Sequence, residues 1–195
     1  MEYSNSNILK QFAKEMNGKF VERSFHNSAK TELKYLDWNI TFDNYTEYKT
    51  SGGKTLEQIY ARVVSPIKSN DNFRFEIYRK NIFSSIAKIF GAQDIEIGNS
   101  KFDKDFIIKA NNEFKLKAFL NNKDLRNQIE NFERINLQIS DRKGIWEKKL
   151  PGKEFELSFF IEEPIDDIQN LKSIYFLFIE MLKQLKEINS IQASG

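Results

Sequence analysis

The stretch Ile174-Tyr175-Phe176-Leu177-Phe178-Ile179 is apolar without a break, so a helix built on it has no water-facing side. Around it Ile168, Leu171, Tyr175, Phe178, Leu182 and Leu185 step by three and four, and Ile174, Met181 and Ile188 widen the stripe. That is the period of an amphipathic helix, broader than a one-sided surface helix needs. The spacing predicts a helix over 165–189, introduced by Pro164 and carrying Asp166 and Asp167 in its first turn, where the helix dipole favours acids. At ~1.5 Å per residue it spans on the order of 36 Å, enough to cross a sheet of several strands. The expectation is that 174–179 is enclosed on all sides by strands from both halves of the chain.

Upstream the chain supplies those strands. A first helix ends near Asn17 with Gly18 as its left-handed stop, and presents Ile8, Leu9, Phe12, Ala13 and Met16 on one face. A short strand over 19–25 follows, then alternation over 33–45 (Leu33, Tyr35, Trp38, Ile40, Phe42) reads as a half-buried strand. Residues 47–54, with Ser51-Gly52-Gly53-Lys54, form a hairpin tip, and the return strand 56–65 is ended by Pro66. A third strand covers 73–79 and a helix 81–90, stopped by Gly91. The pattern then restarts. Short β runs at 94–97 and 106–110 flank a turn, helices follow near 114–120 and 125–132 with Asp124 as a cap, and strands are expected over 135–140, 145–150 and 155–161. The order predicts an α+β fold in which a mostly antiparallel, curved sheet carries its helices on one face. Two similar halves, 1–91 and 92–195, each helix, three strands, helix, share one core in a single domain, since no Pro/Gly/Ser-rich linker parts them.

Composition narrows the function classes. With 195 residues the chain buries roughly 70% of its unfolded surface without a staple. Cysteine is absent, so disulfides and thiolate metal sites are excluded. Thirty basic and 28 acidic side chains, net charge +2, are spread through the chain and leave no nucleic-acid footprint. No transmembrane run and no signal peptide are read, and cytoplasm is the expected compartment. The Phe-Ile-Lys-Asn bias is of the kind an AT-rich bacterial genome produces.

At the junction stands Glu96-Ile97-Gly98-Asn99-Ser100-Lys101-Phe102-Asp103-Lys104-Asp105-Phe106-Ile107-Ile108-Lys109-Ala110, followed by Leu120 and Leu125. This segment resembles the signature of a bacterial domain family of unknown function: an acidic strand end, Phe-Asp-x-x-Phe, a strand ending in a small residue, and a helix leading to a Leu-rich one. The resemblance covers about 94–190 and implies a fold and no site; it also implies membrane-spanning helices ahead of the domain in many members. Read from the residues alone, Phe102 and Phe106 anchor the connection in the core, and Asp103 caps the free N–H groups of the turn.

No catalytic, cofactor or metal residue is assigned, and each candidate has a plainer reading. Ser51-Gly52-Gly53-Lys54-Thr55 ends like a phosphate-binding loop, but Tyr48 stands where the loop needs glycine and a strand follows where it needs a helix. Asp37 or Asp43 with Glu47 and Lys49 has the spacing of a metal-dependent nuclease core, although Glu47 and Lys49 are read in a polar turn. Asp94, Glu96, Asp103 and Asp105 read as a solvated acidic edge, and His26, the single histidine, as part of a polar loop. Tyr35, Trp38, Tyr60, Arg62 and Tyr78 lie on predicted strands as a possible binding face. The function expected is a non-enzymatic protein-interaction or scaffold domain using the sheet face free of helices. The alternatives are a module for a small apolar ligand and the metal-dependent nuclease.

Overall fold

The computed structural model describes residues 2–22, 28–80, 94–142, 149–162 and 167–193. In chain order they form α1 (Glu2–Glu15), β1 (Lys19–Val21), β2 (Lys30–Tyr35), β3 (Trp38–Ser51), β4 (Lys54–Ser69) and β5 (Phe75–Arg79). There follow α2 (Ser100–Asp105), β6 (Phe106–Ala110), α3 (Glu113–Phe119), α4 (Lys123–Glu130), β7 (Ile135–Ser140), β8 (Glu154–Ile161), α5 (Ile168–Glu187) and β9 (Ile191–Ala193). The nine strands make one antiparallel sheet in the order β1-β2-β3-β4-β8-β7-β5-β6, with β9 joined to β4. The fold is α+β, a curved sheet with the five described helices on one face. The two sequence halves interleave in it: β8 lies beside β4, and β5 is inserted between β7 and β6. The helix expected over 81–90 and most of the strand expected over 145–150 lie outside the described residues.

Apolar residues of α1 (Leu9, Phe12), α2 (Phe102), α3 (Leu116, Phe119), α4 (Leu125, Ile129) and α5 all join one cluster. From the sheet the same cluster takes every second residue, among them Leu33, Ile40, Phe42, Val63, Ile77, Leu137 and Phe159. Helix α5 starts at an Asp167 cap that accepts from the N–H groups of Gln169 and Asn170. It ends at Asn189 (φ 54°), where Ser190 N–H reaches Leu185 O at 3.0 Å. Its neighbours tie to it through Lys172 Nζ and Glu15 of α1 at 2.8 Å, and through Asn122 Nδ2, at the start of α4, donating to Glu180 at 3.2 Å. One expectation is corrected here. Five of the six residues in 174–179 are buried, but Phe176 is 58% exposed, because a helix lying on one face of a sheet between two others keeps one side toward water.

Several boundaries also move for physical reasons. The strand read over 33–45 is two, β2 and β3, hinged at Leu36 (φ 52°); the apolar positions change parity there, from 33 and 35 to 38, 40 and 42. The hairpin tip shrinks to Gly52-Gly53, whose φ values of 57° and 76° are those a two-residue primed turn requires. Glu47 and Lys49 therefore stand in β3 and not in a turn. Pro66 does not end β4. It falls in the gap between Val64, where pairing with β3 ends, and Ile67, where pairing with β9 begins, and an edge-like position tolerates the missing N–H. Residues 94–97 are not a strand, although Ile95 N–H donates to Ile108 O at 2.8 Å. The cap of α4 is Asn122 and not Asp124. The Phe102-Asp103-x-x-Phe106 segment forms α2 and the start of β6: the rings stack at 4.4 Å, and Asp103 accepts from the N–H of Ile97 at 2.8 Å and of Gly98 at 3.0 Å.

At the end of α1 the left-handed residue is Asn17 (φ 53°), while Gly18 N–H bonds Ala13 O at 2.7 Å. Gly18 is needed for a different reason than its φ. A Cβ there would lie 2.1 Å from Leu33 Cδ2 and 2.8 Å from Glu32 O, so α1 could not close on β2. Gly18→Ala is expected to lower the unfolding free energy by about 1–3 kcal/mol, read as a reduced urea midpoint at unchanged slope.

Candidate functional site

Because side chains alternate along a strand, the residues between the core positions share the opposite face of the sheet. Cross-strand pairing lines them up in two rows. One runs Asp43, Arg62, Phe160, Asn136, Tyr78, Ile107; the next runs Thr41, Val64, Ser158, Gln138, Glu76, Lys109. Solvent exposure does not follow the alternation: β7 is buried at all six positions and β8 at Phe155 through Phe160. Glu76, Gln138 and Ser158 are 0–1% exposed, and Asn136 is 2%.

Within this face Asn136 Nδ2 donates to Glu76 Oε1 at 2.7 Å, and Ser158 Oγ donates to Glu156 Oε1 at 2.9 Å. Among the described residues four polar atoms of this face are buried without a hydrogen-bond partner: Glu76 Oε2, Asn136 Oδ1, and both Oε1 and Nε2 of Gln138. Each such group costs about 1–3 kcal/mol, which makes the cluster expensive as structure alone. Burial pushes the Glu76 carboxyl up to about 7, against the opposing pull of the Asn136 hydrogen bond and the Lys109 charge. Burial also raises the Tyr78 hydroxyl, with help from Glu76 and Asp94.

This carries a pH signature. Between the ordinary glutamate value, near 4.5, and about 7, the folded protein holds a proton that the unfolded chain has released. The Glu76 contribution to stability therefore falls as pH rises through that window and levels off above it, by on the order of 3 kcal/mol. Glu76→Gln is expected to remove this slope, leaving stability near pH 5 little changed and raising it at pH 8. Urea titrations at the two pH values check it.

The residues singled out in the sequence are only partly brought together. Tyr60 (0% exposed), Arg62 and Tyr78 (6%) lie on the face just described. Tyr35 and Trp38 are paired across β2 and β3 on the other side, with rings 6.3 Å apart, packed into the helical core. The five are thus not one surface. Of Asp37, Asp43, Glu47 and Lys49, Asp37 is in the β2–β3 turn and the other three are on β3, where the backbones of Asp43 and Glu47 stand four residues, about 13 Å, apart; the side chains of Glu47 and Lys49 lie outside what the structure describes. Asp43 is instead engaged by Arg62, whose Nε and Nη2 donate to its two oxygens at 2.8 and 2.7 Å. Of the acidic edge, Asp103 is a cap and Asp105 lies 3.6 Å from Arg79. Among the described residues no group of three acids or histidines could hold a metal, and His26 lies outside them. The cleft lined by Leu9, Phe42, Ala61, Val63 and Leu171, with Asp43 and Arg62 at its side, holds about 10 Å³. That is far below the ~300 Å³ of a ligand pocket.

A second feature projects from the sheet. β2 leaves β3 at Phe42, and β8 pairs with β4 only from Ala61. From Tyr45↔Tyr60 to Ser51↔Lys54 the two strands pair only with each other among the described residues, a ribbon about 24 Å long. It carries Tyr48 at 68% and Ile59 at 41% exposure.

The fold and these two features define an α+β protein with an open sheet, a closed polar face and a projecting hairpin. No family model matches the chain, and no match is found among curated proteins or solved structures. No helix among the described residues is long and apolar enough to cross a membrane.

Proposed function

We propose that the chain is a non-enzymatic protein-binding domain that meets its partner through the β3–β4 ribbon. The observation that carries this reading is the ribbon's pairing: two strands with no third strand on either outer edge among the described residues. An isolated two-stranded hairpin is marginal in water, and unpaired edges template the addition of a partner strand. Exposed Tyr48 and Ile59 give such an added strand apolar side chains to cover. Ser28 meets the base of the arm, its hydroxyl donating to Asn44 O at 2.8 Å.

The test is a photo-crosslinking residue placed at Tyr48 in the source cell, with a second at Lys183 on the exposed side of α5 as control. A discrete protein adduct at position 48 and not at 183 is expected. No adduct at 48, or the same adducts from both positions, would overturn the reading.

A further inference from the structure

Independently of the ribbon, we propose that Asn17-Gly18 is a site of spontaneous deamidation and isomerisation to isoaspartate, and that the docking of α1 on β2 holds it closed. It is the one Asn-Gly pair in the chain. Asparagine is among the thermolabile residues, and a following glycine, with no Cβ, leaves its side chain open to the next backbone nitrogen. In the reaction that nitrogen, Gly18 N, gives up its proton to base and attacks Asn17 Cγ. The N–Cγ bond forms, the Cγ–Nδ2 bond breaks, and the side-chain amide leaves as ammonia after taking a proton from solvent. Water then opens the cyclic imide at Cγ, giving aspartate, or at the Asn17 carbonyl carbon, giving isoaspartate, which carries the chain through Cγ.

Asn17 is exposed to solvent, but two contacts of the fold stop the first step. Gly18 N–H is donated to Ala13 O at 2.7 Å, so the attacking nitrogen is engaged in the cap of α1, with Asn17 in the left-handed region (φ 53°). Gly18 also sits so close to β2 that a Cβ there would lie 2.1 Å from Leu33 Cδ2 and 2.8 Å from Glu32 O, and the 17–18 peptide has no room to turn toward Cγ while α1 is docked. Release of α1 from the sheet removes both restraints together. Isoaspartate adds a methylene to the main chain inside this cap, and either product puts a negative charge at the C-terminal end of α1, where the helix dipole opposes it. The modified helix cannot regain the same seat, so an opening that leads to reaction is not undone by reclosing.

The experiment holds the whole chain at pH 8 and follows aspartate and isoaspartate at position 17 by peptide mapping, in buffer, in urea below the unfolding midpoint, and fully unfolded. The native rate is expected to lie below the unfolded rate by roughly tenfold or more, and to rise with urea in step with native-state hydrogen exchange of the α1 amides. Phe12→Leu, which loosens the packing of α1 on Phe42, is expected to raise the native rate about threefold or more with the circular dichroism of a folded chain; if that variant does not fold, the urea series decides alone. Chain carrying isoaspartate at 17, separated by chromatography, is expected to unfold at lower urea than the unmodified protein. Equal native and unfolded rates, a rate that follows only global unfolding, an unchanged rate in folded Phe12→Leu, or an unchanged urea midpoint after modification would overturn the proposal.

Discussion

Phe42→Ala is expected to lower the unfolding free energy by about 3–5 kcal/mol, one of the two largest effects foreseen for a single substitution. Phe42 is 1% exposed, its ring meets Phe12 edge-on at 4.9 Å, and it lies 6.4 Å from Tyr175. One side chain of β3 thus joins α1 and α5. Removing it leaves a void that neither helix can close without leaving the sheet, so the transfer and cavity costs add. Phe176→Ala is the matched control. Because Phe176 stands outward on α5, its loss is expected to fall within about 0.5 kcal/mol of zero. Equilibrium urea unfolding of both variants separates a helix lying on one face of the sheet from one enclosed all round.

Asp43→Ala is expected to cost a comparable 3–5 kcal/mol. The Asp43 side chain is 1% exposed and that of Arg62 14%, and both guanidinium donors to Asp43 sit at short range in a planar, bidentate geometry. Removing the acid takes two charge-assisted hydrogen bonds from a largely buried guanidinium. The double variant Asp43→Ala with Arg62→Leu is expected to recover part of the loss, since replacing both members of a buried ion pair by apolar groups costs less than removing one of them. A cycle of urea midpoints over the four proteins reads the coupling.

Much of this architecture is legible in the residues because it rests on local periodicity. The three- and four-residue steps from Leu171 to Leu185 name the buried side of α5, and Gly52-Gly53 names the tip of the long hairpin. Phe102, Asp103 and Phe106 act as anchor, cap and anchor as their types suggest. The change of parity between Tyr35 and Trp38 was a readable sign of the turn at Leu36, since an unbroken strand keeps its apolar positions on one parity. What periodicity does not carry is partner choice. The insertion of β5 between β7 and β6 joins residues about sixty positions apart, and no local pattern encodes it.

The polar face was hidden for a related reason. Alternation in Glu76, Asn136, Gln138 and Ser158 shows that they point away from the helical core, and such residues ordinarily face water. Whether the second side of a sheet is covered is a property of the whole fold. Residue type alone would place such a cluster in water, and in the structure it is buried. The same limit explains why Tyr35 and Trp38 were grouped with Tyr60 and Tyr78: residue type suggested one aromatic face, and strand register divides them between two.

The claim on which the rest depends is that strands from both ends of the chain form one sheet, and the absence of cysteine allows a direct measurement of it. Lys68 in β4 and Glu154 in β8 are exposed register partners. Directly opposed residues in antiparallel strands have Cα atoms about 4.5–5.5 Å apart, within disulfide reach. Under mild oxidation the variant Lys68→Cys with Glu154→Cys should close an intramolecular disulfide at native stability, seen as a 2 Da loss by intact mass with no dimer. Thiols that stay free, or that form only intermolecular bridges while the protein remains folded, would show that β4 and β8 are not neighbours and that the two halves do not share a sheet.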